Sequence, residues 1–387
     1  MFGLLILSYL TLVTSTDLPY DSSWYGTTPH PSTHPYFRSV TDFGAKGDGI
    51  SDDTLSIQAA INHNRGAHHA LSPAIVYFPP GEYLVSDTII TYMYTELRGC
   101  STIRPTLRLA PSSPGFQNTS ALRPVIASNA GYDRNLSVPF EWWDNSLMSN
   151  YMFYMHIHQI NVDIGPGNPG AVGIYWCVAQ QTSLRDLSIA VGGGYSGIDI
   201  CQIPNYDPQP GGGSGGGGTI EDISISGGEY AVRGMASQWT FRGLDFTNQN
   251  TATLFLVGFL WLFAFVDVRA AHTPLFLGTS ELGDRHSTSI SLIDVTLTNI
   301  TGPSAIILDR AGVPLFLQNL TLIGGGGSPL PSFLVANTSL PFPEGTLTPW
   351  LTTPPLPPPP PHQPSTWSVG LGGTVGVTMS LGTLLVG

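Results

Sequence analysis

The sequence predicts an all-β fold: a single-stranded solenoid of parallel β-strands, one coil per repeat, closed at its N-terminal end by a short α-helix. Three observations predict it. First, a pattern of apolar, any, small polar or Gly, apolar, any, apolar recurs as IHQINV, LRDLSI, IEDISI, FRGLDF, FVDVRA, LIDVTL and LQNLTL, with its third position at Gln159, Asp186, Asp222, Gly243, Asp267, Asp294 and Asn319. The intervals are 27, 36, 21, 24, 27 and 25 residues, the period of a solenoid. The long interval contains the glycine-rich run 211–218, read as a loop insertion that leaves the register intact. Second, charged residues make up only 10% of the 387, against 45 Gly and 33 Pro, which suits many short strands joined by turns and argues against a helical bundle. Third, residues 37–62 read as strand, tight turn and capped helix, and a solenoid's open strand edges call for such a cap.

Taken in order, residues 1–16 carry an apolar run followed by small residues and read as a signal peptide without a basic start. Five sequons, at Asn118, Asn135, Asn299, Asn319 and Asn337, agree with secretion. Residues 17–36, rich in Pro, Ser, Thr and aromatics, are expected to form an extended arm. In the entry segment, Val40 and Phe43 are assigned to a strand and Gly44, Gly47 and Gly49 to the turn. Asp52 and Asp53 are expected to cap a helix whose apolar side holds Leu55, Ile57, Ala60 and Ile61. Residues 74–78 are a buried strand, 79–82 a turn and 83–85 the next strand. Residues 105–151 form a long excursion containing Glu141, Trp142, Trp143 and Asp144, and such excursions often carry binding surfaces. The apolar run 254–266 is too short to span a bilayer, so it is expected to be a buried strand and corner. The solenoid domain is bounded at 37–325, with a Pro-rich linker over 326–368. The uncharged tail 369–387 has two readings, a GPI-anchor signal or disorder.

The entry motif DFGAKGDG, with DDT and AI after it, resembles the N-terminal end of right-handed parallel β-helix proteins of the pectate lyase-like superfamily. The segments SPAIVYFPPGEYLVSDTIITYMYTELRG (72–99) and GIYWCVAQQTSLRDL (173–187) are similar to the N-terminal half of glycoside hydrolase family 55, the exo-β-1,3-glucanases, over roughly residues 24–322. That family uses two β-helices side by side with the site between them, and this chain has room for one. The resemblance implies that Gln180 and Ser214 hold a water, whereas the family's acid, a glutamate from the second helix, has no counterpart here. Two departures add to this: Cys177 stands where the motif is commonly polar, and 255–265 has lost polar residues.

Each candidate has a structural alternative. Gln180 also fits a strand edge or a ladder with the next coil, and Ser214 a flexible Gly-Ser loop. Trp142, Trp143 and Trp176 suit either sugar stacking or burial. Glu141 and Asp144, flanking an aromatic pair, are the carboxylates to test as acids.

A net charge of −12 leaves no basic stripe for nucleic acid. No CxxC or Cys/His cluster is present, so no metal or cofactor is implied. Cys177 and Cys201 lie 24 residues apart, close to one coil, so they could sit on adjacent rungs within disulfide reach; Cys100 would then be unpaired, and the sequence leaves the pairing open. The expected partner is a polysaccharide, β-1,3-glucan first, with wall or membrane attachment through the tail. Three functions compete: an exo-β-1,3-glucanase relative, a non-catalytic glucan-binding wall protein, and a pectin-degrading enzyme. The third is weakest, because the NTD, HG and RIK motifs of polygalacturonases are missing.

Overall fold

A computed structural model describes residues 36–63, 73–128, 152–201, 215–234, 236–257, 262–280, 289–308, 315–324, 332–335, 338–340 and 350–352. The chain winds as a right-handed β-helix, with two sheets of stacked parallel strands. The longer sheet runs through Phe37–Ser39, Ala74–Phe78, Thr95–Gly99, His156–His158, Thr182–Gly192, Gly215–Gly227, Ala236–Thr247, Leu262–Ala271, Ser289–Thr298 and Leu315–Ile323. The second stacks Arg123–Ala127, Ala171–Tyr175, Ser196–Ile200, Tyr230–Gly234, Ala252–Val257, Leu277–Ser280 and Ser304–Leu308.

The repeat read from the sequence is the coil register. Leu184, Ile220, Phe241, Phe265, Leu292 and Leu317 face one another in successive coils and are buried. Phe241 and Phe265 stack at 4.5 Å between ring centroids. The third repeat position has a backbone reason: all seven residues take positive φ, from 52° at Asp267 and Asn319 to 65° at Gly243. Each long strand bends there, and Asp, Asn and Gly adopt the left-handed conformation at least cost. The turn side chains also bond along the axis, with Asn319 Nδ2 donating to Asp294 Oδ1 at 2.8 Å.

The entry segment differs from expectation in detail. The first strand is Phe37–Ser39, and Val40–Phe43 is a 3₁₀ turn rather than strand. In the helix Thr54–Asn62, Ile57, Ala60 and Ile61 are buried but Leu55 is 84% exposed. At 100° per residue, Leu55 points away from the face that Ile57 and Ile61 share. Asp53 makes no side-chain cap; its carboxylate accepts the N–H groups of Lys46 (2.6 Å) and Gly47 (2.9 Å) and so clasps the turn. Asp52 instead takes the Thr54 N–H at 3.0 Å. Gly47 must be glycine, since its φ is +59° and a Cβ would lie 3.0 Å from the Tyr83 ring.

Two boundaries are corrected. The last four residues of the glycine-rich run belong to the strand Gly215–Gly227, where a Cβ on Gly216 would come within 2.4 Å of Ala179 backbone. Glycine is needed there for close approach, not for looseness. The expected linker also holds strands: Ser332–Val335 extends the second sheet, and antiparallel Thr338–Leu340 and Trp350–Thr352 finish the two sheets. The apolar run expected as strand and corner falls in Ala252–Val257 and Leu262–Ala271, with 258–261 outside the described residues.

Cys177 and Cys201 are joined as a disulfide, with Cα atoms 4.5 Å apart, and Cys100 is free and buried. The signal-peptide and tail readings and all but Tyr36 of the arm lie outside the described residues. Among the described residues, no helix is long and apolar enough to cross a membrane.

Candidate functional site

Alternation along three neighbouring strands of the longer sheet builds the site. Leu97, Ile157 and Leu184 point inward and are fully buried, so the residues on either side point outward. The registers align Glu96 with His156 and Ser183, and Arg98 with His158 and Arg185. Six polar or charged side chains therefore share one outward face.

Five of them form one network. Arg98 pairs with Glu96, and His158 Nδ1 lies 3.4 Å from Glu96 Oε1. His158 Nε2 is 2.7 Å from Ser183 Oγ, and His156 Nδ1 is 2.8 Å from the same oxygen. With a single proton on His158, the following arrangement satisfies every contact. His158 donates from Nδ1 to the carboxylate, so its Nε2 accepts from the Ser183 hydroxyl, whose oxygen accepts from His156 Nδ1–H.

Burial and neighbouring groups shift two members of the network. Burial alone would raise the Glu96 pKa, but the hydrogen bond from His158 and the Arg98 charge outweigh it, and the carboxyl sits below its ordinary value. Glu96 is thus a charge partner at neutral pH, unfit to give up a proton as an acid. Burial first, and the His158 charge second, lower the His156 pKa from 6.5 to about 4, so this imidazole is neutral.

Beside the network lies an aromatic platform. Tyr94 and Tyr154 stack with ring centroids 5.0 Å apart and planes 8° from parallel, and Tyr154 is 47% exposed. Both have positive φ, 59° and 55°, which turns them out at the corner just before the network strands. Such strained outward turns are common at ligand-binding positions. Gln180 joins this edge: the Tyr154 N–H points at the Gln180 carbonyl, 3.4 Å away, and the residue is exposed.

Of the candidates named from sequence, Gln180 alone is both described and at this edge. Trp176 is corrected: its indole is completely buried among core side chains and offers no face to a sugar. Glu141, Asp144, Trp142, Trp143 and Ser214 lie outside the described residues, as do Asn135 and Asn337. Asn118 is exposed, and Asn299 and Asn319 sit at left-handed turns. Sequence reading missed Tyr94, Tyr154, Glu96, Arg98, His156, His158 and Ser183. The available signal was the alternation His156, Ile157, His158 on a strand with a buried centre.

A second polar group belongs to the framework. Asp199 is wholly buried on the shorter sheet, 3.6 Å from Arg233, and accepts from Ser196 Oγ at 2.7 Å. The Arg233 guanidinium lies over Tyr195 and Tyr230 at 5.0 and 5.2 Å. Among the described residues no group of His, Cys, Asp and Glu side chains is placed to hold a metal ion.

Comparison with known proteins fits this geometry. The family model for rhamnogalacturonase A/epimerase, pectate lyase-like proteins matches residues 37–273, more than half of the chain. The chain belongs to this pectate lyase-like family. A probable glucan endo-1,3-beta-glucosidase of Arthroderma benhamiae is 30% identical over 301 residues, covering 74% of this chain and 32% of that protein. A glucan 1,3-beta-glucosidase of Cochliobolus carbonum is 25% identical over 291 residues, covering 72% and 34%. The pectate lyase-like chain thus spans about a third of the length of these curated relatives. Among solved structures, the A-module of the Azotobacter vinelandii mannuronan C-5 epimerase AlgE4 aligns with a TM-score of 0.45 and 16% identity, over 74% of this chain and 76% of that one.

Proposed function

We propose that this protein is a secreted, carbohydrate-directed β-helix that recognises β-1,3-glucan on the outward face of its first coils, as the substrate-holding part of an exo-β-1,3-glucanase-like protein. The observation that carries this reading is the Tyr94/Tyr154 stack beside Gln180, with Tyr154 exposed and Tyr94 half-buried. Flat, rigid aromatic faces at the surface are what the apolar faces of a sugar ring bind, and stacking orders them before the ligand arrives. The names of the two glucosidase relatives support the same polymer. Secretion rests on the sequons and the N-terminal apolar run.

Hydrolysis would need a protonated acid opposite a positioned water. Glu96 is held ionised, so that role falls to Glu141 or Asp144, with Gln180 and Ser214 holding the water. The experiment is incubation with laminarin and with insoluble β-1,3-glucan, following glucose release and retention. Glucose release that vanishes in Glu141→Gln or Asp144→Asn makes it a hydrolase. Retention without release makes it a binding protein of the wall. The absence of both glucose release and retention would refute the glucan reading.

A further inference from the structure

The Ser183, His158 and Glu96 network has the connectivity of a nucleophile, a base and an orienting carboxylate, and glucan recognition makes no use of it. Ser183 Oγ is 2.7 Å from His158 Nε2, and the other ring nitrogen faces Glu96 at 3.4 Å, within the looser range of such groups without substrate. The order is set by chemistry already on the page. An ionised Glu96 fixes the proton on Nδ1 and leaves Nε2 basic and aimed at the hydroxyl. His156 is neutral and, in the same arrangement, donates to Ser183 Oγ, which holds the hydroxyl hydrogen toward His158. Ser183 is only partly covered, and Arg185 lies two residues on along the same outward face, in register with His158.

We infer that Ser183 is the nucleophile of a second activity, hydrolysis of small acyl esters such as O-acetyl groups on saccharide hydroxyls. Ser183 Oγ attacks the ester carbonyl while its proton passes to His158 Nε2, and the imidazolium is held by Glu96. The Oγ–C bond forms, the C–O bond to the sugar breaks, and His158 returns the proton to the departing alkoxide. A water then attacks the acyl-serine through the same base, releasing the carboxylic acid and restoring Ser183. Arg185 supplies positive charge for the carbonyl oxygen as it becomes an oxyanion. No oxidant, metal or further cofactor enters the balance.

The test uses the whole secreted chain with p-nitrophenyl acetate and with a fluorophosphonate probe, followed by peptide mass mapping. The expected result is a single adduct on Ser183 and ester turnover that falls about 10³-fold or more in Ser183→Ala. Glu96→Gln should lose on the order of 10²- to 10⁴-fold, because a neutral amide no longer fixes the tautomer, and its pH–rate profile should shift. Neither readout uses glucan, so this test and the glucan-retention test succeed or fail separately. Wild-type protein that acquires no adduct, an adduct elsewhere, or ester turnover unchanged in Ser183→Ala overturns the assignment. The labelling arm requires no variant to fold.

Discussion

The same outward column of the longer sheet changes character as it climbs. In the first coils it reads Glu96, His156, Ser183, then continues in register through Thr219, Thr240, Ala264 and Ser291 to Phe316. Its neighbour begins Arg98, His158, Arg185, Glu221, Arg242 and ends Val266, Ile293, Gln318. The inward column from Leu97 through Ile157, Leu184, Ile220, Phe241, Phe265 and Leu292 to Leu317 shows no such gradient and stays aliphatic or aromatic. One scaffold therefore carries a chemically armed region in its early coils and plainer outward faces in its later ones. The difference teaches that the coil geometry is general while the chemistry is local.

Substitutions in the two regions should separate stability from activity. The largest stability effect belongs to the later coils: Phe241→Ala removes the central ring of a stacked, fully buried group and should cost about 3–5 kcal/mol in urea unfolding. A loss under about 1 kcal/mol would mean that the stack is loosely packed. Opening the disulfide with Cys177→Ser plus Cys201→Ser releases a loop of 24 residues and should cost about 2–4 kcal/mol. The same double change should leave ester turnover at Ser183 intact.

Smaller effects sharpen the comparison. Asp294→Leu places a bulky side chain at φ 55° and removes the acceptor for Asn319, so a cost of about 1–2 kcal/mol is expected. Asp294→Gly should recover most of it, which would show that the backbone and not the carboxylate sets the residue type. A pH dependence belongs to the armed coils. His156 is depressed from 6.5 to about 4, so the unfolded chain takes up the proton first as pH falls. The stability it confers is complete above 6.5 and is lost through the window down to about 4. Melting temperatures at stepped pH should show a shallower decline for His156→Gln, and equal slopes would exclude His156 as the source.

Much of the scaffold was legible because one residue class had one physical job. The recurring Asp, Asn and Gly at the third repeat position are required by left-handed turns, so counting them recovered the coil register. The Cys177–Cys201 spacing was legible for the same reason, being one coil. Details failed where a side chain had two partners to choose from. Asp53 reads as a helix cap, yet the tight turn before it supplies two N–H groups at shorter reach. The candidate site was largely illegible. Tyr94 and Tyr154 are neighbours in space but 60 residues apart in sequence, a spacing that carries no coil period, and the strands Thr106–Leu109 and Arg123–Ala127 lie inside what read as one excursion over 105–151. Glu96 and His158 meet across a similar separation in sequence. Trp176, conspicuous in sequence, marks the core instead.

Retention on insoluble β-1,3-glucan, compared between wild type and Tyr154→Ala at matched folding by circular dichroism, tests the recognition face most directly. Tyr154 is about half exposed, so its loss should change stability by less than about 1 kcal/mol. The account predicts that wild-type protein is retained and that Tyr154→Ala loses about tenfold or more in affinity, the loss of one stacking face. Wild-type protein that passes through unretained, or a folded Tyr154→Ala that binds as well as wild type, would contradict it.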